Sequence, residues 1–286
     1  MTMAVLDSPV FLGLALSALA AEFLWRRRHG LGYDGAAFAA TLGVAIGQVP
    51  FKLIGAGLVT GTLLGAYRLA PVQWALDDWR TWVIGFLAVE FTYYWQHRMS
   101  HQVRWFWATH SVHHTPNELV LPAALRLGWT GGITGVWLPF VPLAVLGLHP
   151  LVIATLLVVN LRYQLFLHTE AVGRLGPVEW LFNTPSHHRV HHASNPEYLD
   201  KNFGGVLIIF DRLFGTFATE HPGRTLRYGL TEPLRTNNPF AIAFHEWRRM
   251  ISDLRSARSI REILAQLFAR PRGPSRRSLD NKYITT

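Results

Sequence analysis

The chain of 286 residues is half apolar, 13% aromatic and 16% charged, against roughly a quarter charged in an ordinary soluble domain. It contains no cysteine, which excludes disulfides, thiolate metal sites, iron–sulfur clusters and a cysteine nucleophile, so any metal must be held by nitrogen and oxygen. The net charge of +9 gathers at the C-terminal end, where residues 245–286 carry nine Arg and one Lys against four acids; following apolar segments and lacking a nucleic-acid-binding motif, this block fits a membrane surface and excludes a nucleic-acid partner.

A bilayer crossing needs about 20 apolar residues. The first window, Pro9 to Trp25, stops at Arg26-Arg27-Arg28. A signal peptide carries its charge before the apolar run, so this segment reads as an anchor with its arginines in the cytoplasm. Ala36 to Ala70 is rich in Gly and Ala and is interrupted by Pro50 and Lys52; a single crossing is favoured over two half-spans. Thr81 to Trp95 forms a third window. Gly128–Leu148 and Leu151–Leu167 form a hairpin turned at His149-Pro150, with Gly131, Gly132 and Gly135 allowing close helix approach. Phe203 to Phe217 is too short to span, and Asp211 and Arg212 make it a buried or interfacial segment. From Phe240 to Phe268, apolar residues recur every three or four positions among arginines, describing a basic amphipathic helix on the membrane surface. The tail from Pro271 reads as loose. The fold expected is an all-α integral membrane protein: about four transmembrane helices with a cytoplasmic, helical, histidine-rich cap. Residues 1–80 would be N-terminal membrane helices, 81–234 the catalytic region and 235–286 the amphipathic segment.

Eleven of the 14 histidines fall between His97 and His192. They form His97-Arg-Met-Ser-His101, then His110-Ser-Val-His113-His114, then His187-His188-Arg-Val-His191-His192, with His168 alone after the fifth window. Residues three and four apart share a helix face, so the histidines of each cluster are expected to point the same way. Because the last two windows form a hairpin, all clusters should lie on one membrane face. Together with His168 and His187 there are ten candidate ligands, more than the three or four of one zinc site and enough for two metals. Imidazole suits iron, zinc, copper or nickel, so ligand type does not name the metal. A histidine-rich metal transporter is the non-enzymatic alternative, although its ligands should lie at the bilayer midplane and not at span ends. A zinc hydrolase would not need ten histidines.

At these residues the sequence resembles the fatty acid hydroxylase/sterol desaturase superfamily of membrane di-iron enzymes, over roughly Thr81 to Leu234. HRMSH, HSVHH and HHRVHH stand in the family's order. The stretches Phe166-Leu-His-Thr-Glu170, Leu175-Gly-Pro-Val-Glu179, Asn183 to His192 and Asp200 to Phe217 look like its alkylglycerol monooxygenase branch. The resemblance implies that His97, His101, His110, His113, His114, His188, His191 and His192 bind two irons, with His168 and His187 as added ligands. It implies use of O2 and two electrons to hydroxylate a C–H bond of a membrane lipid, with desaturation as the alternative outcome. It also implies an electron donor or electron-transfer partner, tetrahydrobiopterin in that branch.

Each ligand ring needs its second nitrogen hydrogen-bonded, and Glu118, Glu170, Asn195 and Asp200 stand near enough in sequence to serve. Asp200 and Asn202 also flank the turn toward Gly204-Gly205 and could shape backbone alone. Trp95, Trp105, Phe106 and Trp107 are placed either to line a lipid entrance or to form an interfacial aromatic belt. Arg162, inside an apolar window, would meet a lipid headgroup or snorkel to the helix end. High arginine usage favours a bacterial inner membrane, with the histidines on its cytoplasmic side.

Overall fold

The computed structural model describes residues 8–271; the tail expected to be loose lies outside them from residue 272 onward. Helix α1 (Pro9–Arg28) begins with a proline, whose missing N–H costs nothing at a helix start, and ends with three arginines at the negative end of the helix dipole. Helix α2 (Gly35–Arg68) is capped by Asp34, whose Oδ1 accepts from Ala36 N at 2.8 Å and Ala37 N at 3.1 Å. It runs unbroken through Pro50 for 34 residues, about 50 Å at 1.5 Å per residue, so the single crossing is the one its geometry allows.

These two helices are inside out for water. Leu12, Leu14, Leu16 and Phe23 on α1, and Leu42, Ile46, Leu53 and Ile54 on α2, are exposed, whereas Glu22, Arg26, Thr41 and Gln48 are buried. Apolar surface of that extent marks a face that meets a membrane or another apolar surface. Among the described residues, α1 and α2 are the two helices long and apolar enough to cross a membrane.

Helix α3 (Trp79–Gln102) continues past the expected end at Trp95 and carries His97 and His101 on its last turns. Helix α4 (Arg104–His110) and a 3-10 turn at Ser111–His114 follow. The expected span Gly128–Leu148 is not one. It breaks into α5 (Gly131–Thr134), a 3-10 turn at Leu138–Phe140 and α6 (Val141–Val145). Gly135 and Gly147 take positive φ angles of 78° and 96° that stop helix propagation, and Pro139 and Pro142 cannot donate to a helical ladder. Helix α7 (Pro150–Leu165) has 16 residues, short of a full crossing on its own. Of the expected spans, two are full-length apolar helices, α7 is a shorter apolar helix, and the Gly128–Leu148 window is broken.

The core between them gathers Leu63 and Ala66 of α2, Val89 and Tyr93 of α3, Phe140, Ala144 of α6, and Val152, Ile153 and Leu156 of α7. The broken segment lies against α2 backbone to backbone. A Cβ built on Gly55 would stand 2.7 Å from Gly132 Cα, far inside van der Waals contact. Gly55→Val should therefore lower stability by about 1–3 kcal/mol, read as an earlier thermal midpoint of the detergent-solubilised protein; an unchanged midpoint would show that the two segments part freely.

Helix α8 (Pro185–His192) carries the third histidine cluster, and α9 (Ile209–Leu213) lies within the expected buried segment. The C-terminal amphipathic pattern forms two helices, α10 (Pro239–Ser256) and α11 (Ile260–Phe268), with a break at residues 257–259. Helix α10 turns part of its apolar face to the protein and leaves Phe240 and Ile251 exposed. Ile242, Ala243, Glu246 and Met250 are buried against the protein, where Arg104 holds Glu246 at 2.8 Å, Asp253 at 2.7 Å and Gln266 at 2.8 Å. Helix α11 keeps Ile260, Leu264 and Phe268 exposed. Besides two isolated bridges, Phe182 with Leu207 and Ala193 with Tyr228, the described residues contain no strand pairing.

Candidate metal centre

The ends of α3, α4 and α7 and the whole of α8 converge on one place. Nine imidazoles meet there in two adjoining groups. His97, His101, His110, His114 and His191 form the first and His113, His168, His188 and His192 the second; in each, the nitrogens that could ligate lie within 4.8 Å of one another. The groups share a border, with the rings of His114 and His192 stacked at 4.5 Å.

The clusters do not point as units, which corrects the reading of each as one face. A helix turns about 100° per residue, so His192 lies about 40° from His188, while His191 lies about 60° to the other side. His188 and His192 accordingly enter the second group and His191 the first. His110 and His114 likewise separate from His113. For His97 and His101, His110 and His114, and His188 and His192, a spacing of four keeps two imidazoles together, and a spacing of three sends His113 and His191 to the neighbouring group.

Backbone carbonyls fix the rings. His97 Nδ1 donates to Phe203 O at 2.8 Å, His168 Nδ1 to Gln164 O at 2.8 Å, His191 Nδ1 to Lys201 O at 2.9 Å and His113 Nδ1 to Arg126 O at 3.3 Å. A carbonyl only accepts, so each Nδ1 carries the proton and each Nε2 presents a lone pair. Those lone pairs face one another, with His113 and His168 Nε2 atoms 3.1 Å apart. His188 Nε2 lies 3.0 Å from that of His168, and His192 Nε2 3.1 Å from that of His188. His101 Nε2 and His191 Nε2 are buried with no hydrogen-bond partner. Two acceptors in contact, and orphaned buried nitrogens, are unfavourable unless a cation stands between them. Burial is the largest influence on the rings' acidity. It depresses His113 and His191 to about 3, and His168 to about 4, with the His168 ring further lowering His113. The neutral form, the one that coordinates, is therefore held at pH 7.

His187, the tenth candidate, is not brought to either group. Its ring packs on Phe217 at 5.3 Å, its Nδ1 has no partner, and burial lowers it to about 4 against the opposing pull of Glu179. Glu118 and Glu170 do not reach the imidazoles; both turn to Arg26, at 2.8 Å and 3.9 Å. Asn195 shapes backbone, donating to Thr225 O and accepting from Arg227 N. Of the four polar candidates, Asp200 alone approaches, 3.6 Å from His101 Nδ1. Trp107 packs 5.1 Å from His101 and 5.6 Å from His114. It lines a cavity of about 190 Å³ that also exposes His191, His192, Asp200 and Arg270. Trp95 instead packs on Phe214, 5.0 Å away, and Arg162 on the ring of Phe11 at 4.3 Å; neither lines that cavity. Trp105 packs on Trp247.

The residues that hold the rings are mostly carbonyls, which no side-chain search would find. Asn202 does carry a signal. It has a positive φ of 57°, uncommon for a residue other than glycine, and is fully buried. Its amide donates to His187 O at 3.0 Å and Ala218 O at 2.8 Å and accepts from Ala218 N at 2.9 Å. That strained turn directs the carbonyls on either side of it, Lys201 and Phe203, to two imidazoles of the first group. Asp211 secures the same loop, accepting from Phe203 N and Gly204 N at 2.7 Å each. Glu90 of α3 accepts from Val206 N at 2.8 Å and Leu207 N at 2.9 Å and bonds Asn160 of α7.

The chain is 46% identical to human alkylglycerol monooxygenase over 179 residues, 63% of this chain and 39% of that protein. It is 34% identical to the alkylglycerol monooxygenase of Caenorhabditis elegans over 63% of this chain and 35% of the relative. With the ornithine lipid hydroxylase OlsE of Rhizobium tropici it shares 27% identity, over 73% of this chain and 64% of that one. It thus spans about two fifths of the length of the animal relatives. No solved structure matches the chain. The model of the fatty acid hydroxylase family matches residues 82–216, a stretch that holds every histidine of both groups. On these grounds the region built around the two histidine groups is the part of the chain that is similar to the fatty acid hydroxylase family.

Proposed function

We propose that the protein is a membrane monooxygenase that hydroxylates a C–H bond of a lipid, using O2 and two electrons from an external donor to give the alcohol and water. The observation that carries this reading is the pair of adjoining imidazole groups whose lone pairs converge without a proton between them. Each group would hold one iron: His97, His101, His110, His114 and His191 the first, His113, His168, His188 and His192 the second. Bound there, the two irons would supply the activation of O2 that a side chain cannot provide.

The protein's own contribution is position and environment. Carbonyls of Phe203, Lys201, Gln164 and Arg126 hold four rings in one tautomer, so the ligand nitrogens need no rearrangement on loading. Burial excludes water and protons from the rings. The exposed apolar faces of α1 and α2 allow a lipid to stay in the bilayer while its reacting carbon is presented to the centre. Relatives named as a monooxygenase and as a hydroxylase favour hydroxylation over desaturation.

Orientation follows from contacts at the end of α1. Glu22 accepts from Leu121 N at 2.9 Å and from Thr169, beside His168, while Arg26 reaches Glu118 and Glu170. The Arg26–Arg28 cluster and the imidazoles therefore lie at one level. Basic clusters stay on the cytoplasmic side, so we place the centre in the cytoplasm-facing half of a bacterial inner membrane protein.

The test is metal content and turnover of detergent-purified protein from iron-supplied cells. The expected result is about two irons per chain and O2-dependent formation of a hydroxylated lipid when a membrane-lipid extract and a reductant are added. One metal or none, with no oxidised lipid, would overturn the reading.

A further inference from the structure

Away from the imidazoles, a polar cavity of about 440 Å³ opens where α2 begins, between Asp34, Ala37 and Thr41 on one side and Thr115, Arg126 and Arg235 on the other. A second, almost wholly apolar hollow of about 570 Å³ lies between α1 and α2, lined by Leu16, Leu19, Phe23 and Leu24. Tyr33, Phe38 and Pro122 line both, so the two adjoin. The polar part sits at the level of Arg26–Arg28, and the apolar part follows the lipid-facing surface of α1.

At the polar end stands Arg126, 4% exposed. Its Nη2 donates to Ala37 O at 2.8 Å and Thr41 Oγ1 at 2.9 Å, and its Nε donates to Thr41 Oγ1 at 3.1 Å. Nη1 has two hydrogens and one acceptor, Thr115 Oγ1 at 3.3 Å. Among the described residues no carboxylate lies within ion-pairing distance of this guanidinium; the nearby acids are otherwise engaged, Asp34 in capping α2 and Glu118 in holding Arg26. Burial lowers Arg126 to about 10, opposed by the charge of Asp34. The hydrogen bonds of this buried cation go only to neutral oxygens, and an anion bound against it would offset the cost of its burial. The cavity Arg126 lines contains a second cation, Arg235, and two carboxylates, Asp34 and Glu118, which are engaged by the α2 N-terminus and by Arg26.

We infer that this composite cavity binds an anionic glycerolipid, its phosphate between Arg126 and Arg235 and an acyl chain in the hollow between α1 and α2. Charge complementarity selects the headgroup, and the adjoining apolar hollow selects a lipid over a free anion. The site is separate from the proposed reaction centre, because Arg126 presents its side chain to the cavity and only its carbonyl to His113 Nδ1. It does not depend on which metal the imidazoles hold.

The test is native mass spectrometry of the full chain in detergent, titrated with dioleoyl phosphatidylglycerol or with dioleoylglycerol, which has the same chains and no phosphate. Wild type should retain the phosphatidylglycerol at least about tenfold better, the effect of one charge-assisted hydrogen-bonded pair. Arg126→Gln and the more accessible Arg235→Gln should each abolish that preference, whereas Arg224→Gln, outside the cavity, should keep it. Ala20→Trp, which fills the hollow, should weaken the lipid without affecting competition by inorganic phosphate. Equal retention of both lipids by wild type would overturn the proposal, as would a preference kept by folded Arg235→Gln. Phosphate binding with no added affinity from the acyl chains would reduce the site to one for a free anion and overturn it equally.

Discussion

Replacing His191 with alanine is expected to remove the metal of the five-histidine group and to leave lipid oxidation below about one hundredth of wild type. His187→Ala, four residues away on the same short helix, should retain both. The contrast is sharp because the two residues are alike in type, burial and neighbourhood. His191 Nε2 is an orphaned lone pair aimed among four other imidazoles, with its Nδ1 pinned to Lys201 O. His187 instead packs on Phe217 and feels the Glu179 charge, outside both imidazole groups. Metal analysis of the two purified variants, normalised to folded protein by near-ultraviolet circular dichroism, decides the matter. Equal metal loss in both would mean that α8 merely unfolds. Equal retention would show that His191 is not a ligand and would dissolve the first group as drawn.

That pair also marks what could be read in the sequence and what could not. The cluster spacings bring nine imidazoles together because spacings of three and four are short-range helical facts. The partition into two groups was legible in principle from the same angles, since a residue three positions on turns to the other side of its neighbour. His187 cannot be set aside from spacing alone; it needs the location of Glu179 and Phe217 across the fold. The supporting acids were misplaced for a related reason. Glu118 and Glu170 stand beside histidines in the chain, yet Arg26, from a helix 92 residues before the first and 144 before the second, captures both. The ring partners are carbonyls, which have no residue-type signature. The fourth window failed as a span because hydropathy does not register that Gly135 and Gly147 leave the helical region; nor does it show Arg104 holding α10 to the protein.

The second large effect is expected at Glu90, which touches no imidazole. Glu90→Ala would strand three buried donors, Val206 N, Leu207 N and the Asn160 amide. At about 1–3 kcal/mol for each unsatisfied donor, the loss should exceed about 3 kcal/mol and lower the thermal midpoint by roughly 5–10 °C. Glu90→Gln should rescue in part, since its oxygen can still accept from both backbone N–H groups while its amide turns a donor toward the Asn160 amide. The consequence for the centre travels through a short piece of backbone. Val206 and Leu207 close the loop that begins at Phe203, whose carbonyl holds His97, and Asn160 also bonds Gln164, whose carbonyl holds His168. One carboxyl side chain thus fastens a ring in each group. Measured at a temperature where the variant is still folded, iron content should fall at both groups together, by about tenfold or more in apparent affinity, the scale of losing an outer hydrogen-bond partner. A variant with a lowered midpoint but full iron affinity would make Glu90 a brace of the helix bundle alone. A variant unchanged in both would mean that the loop and α7 hold the imidazoles without it.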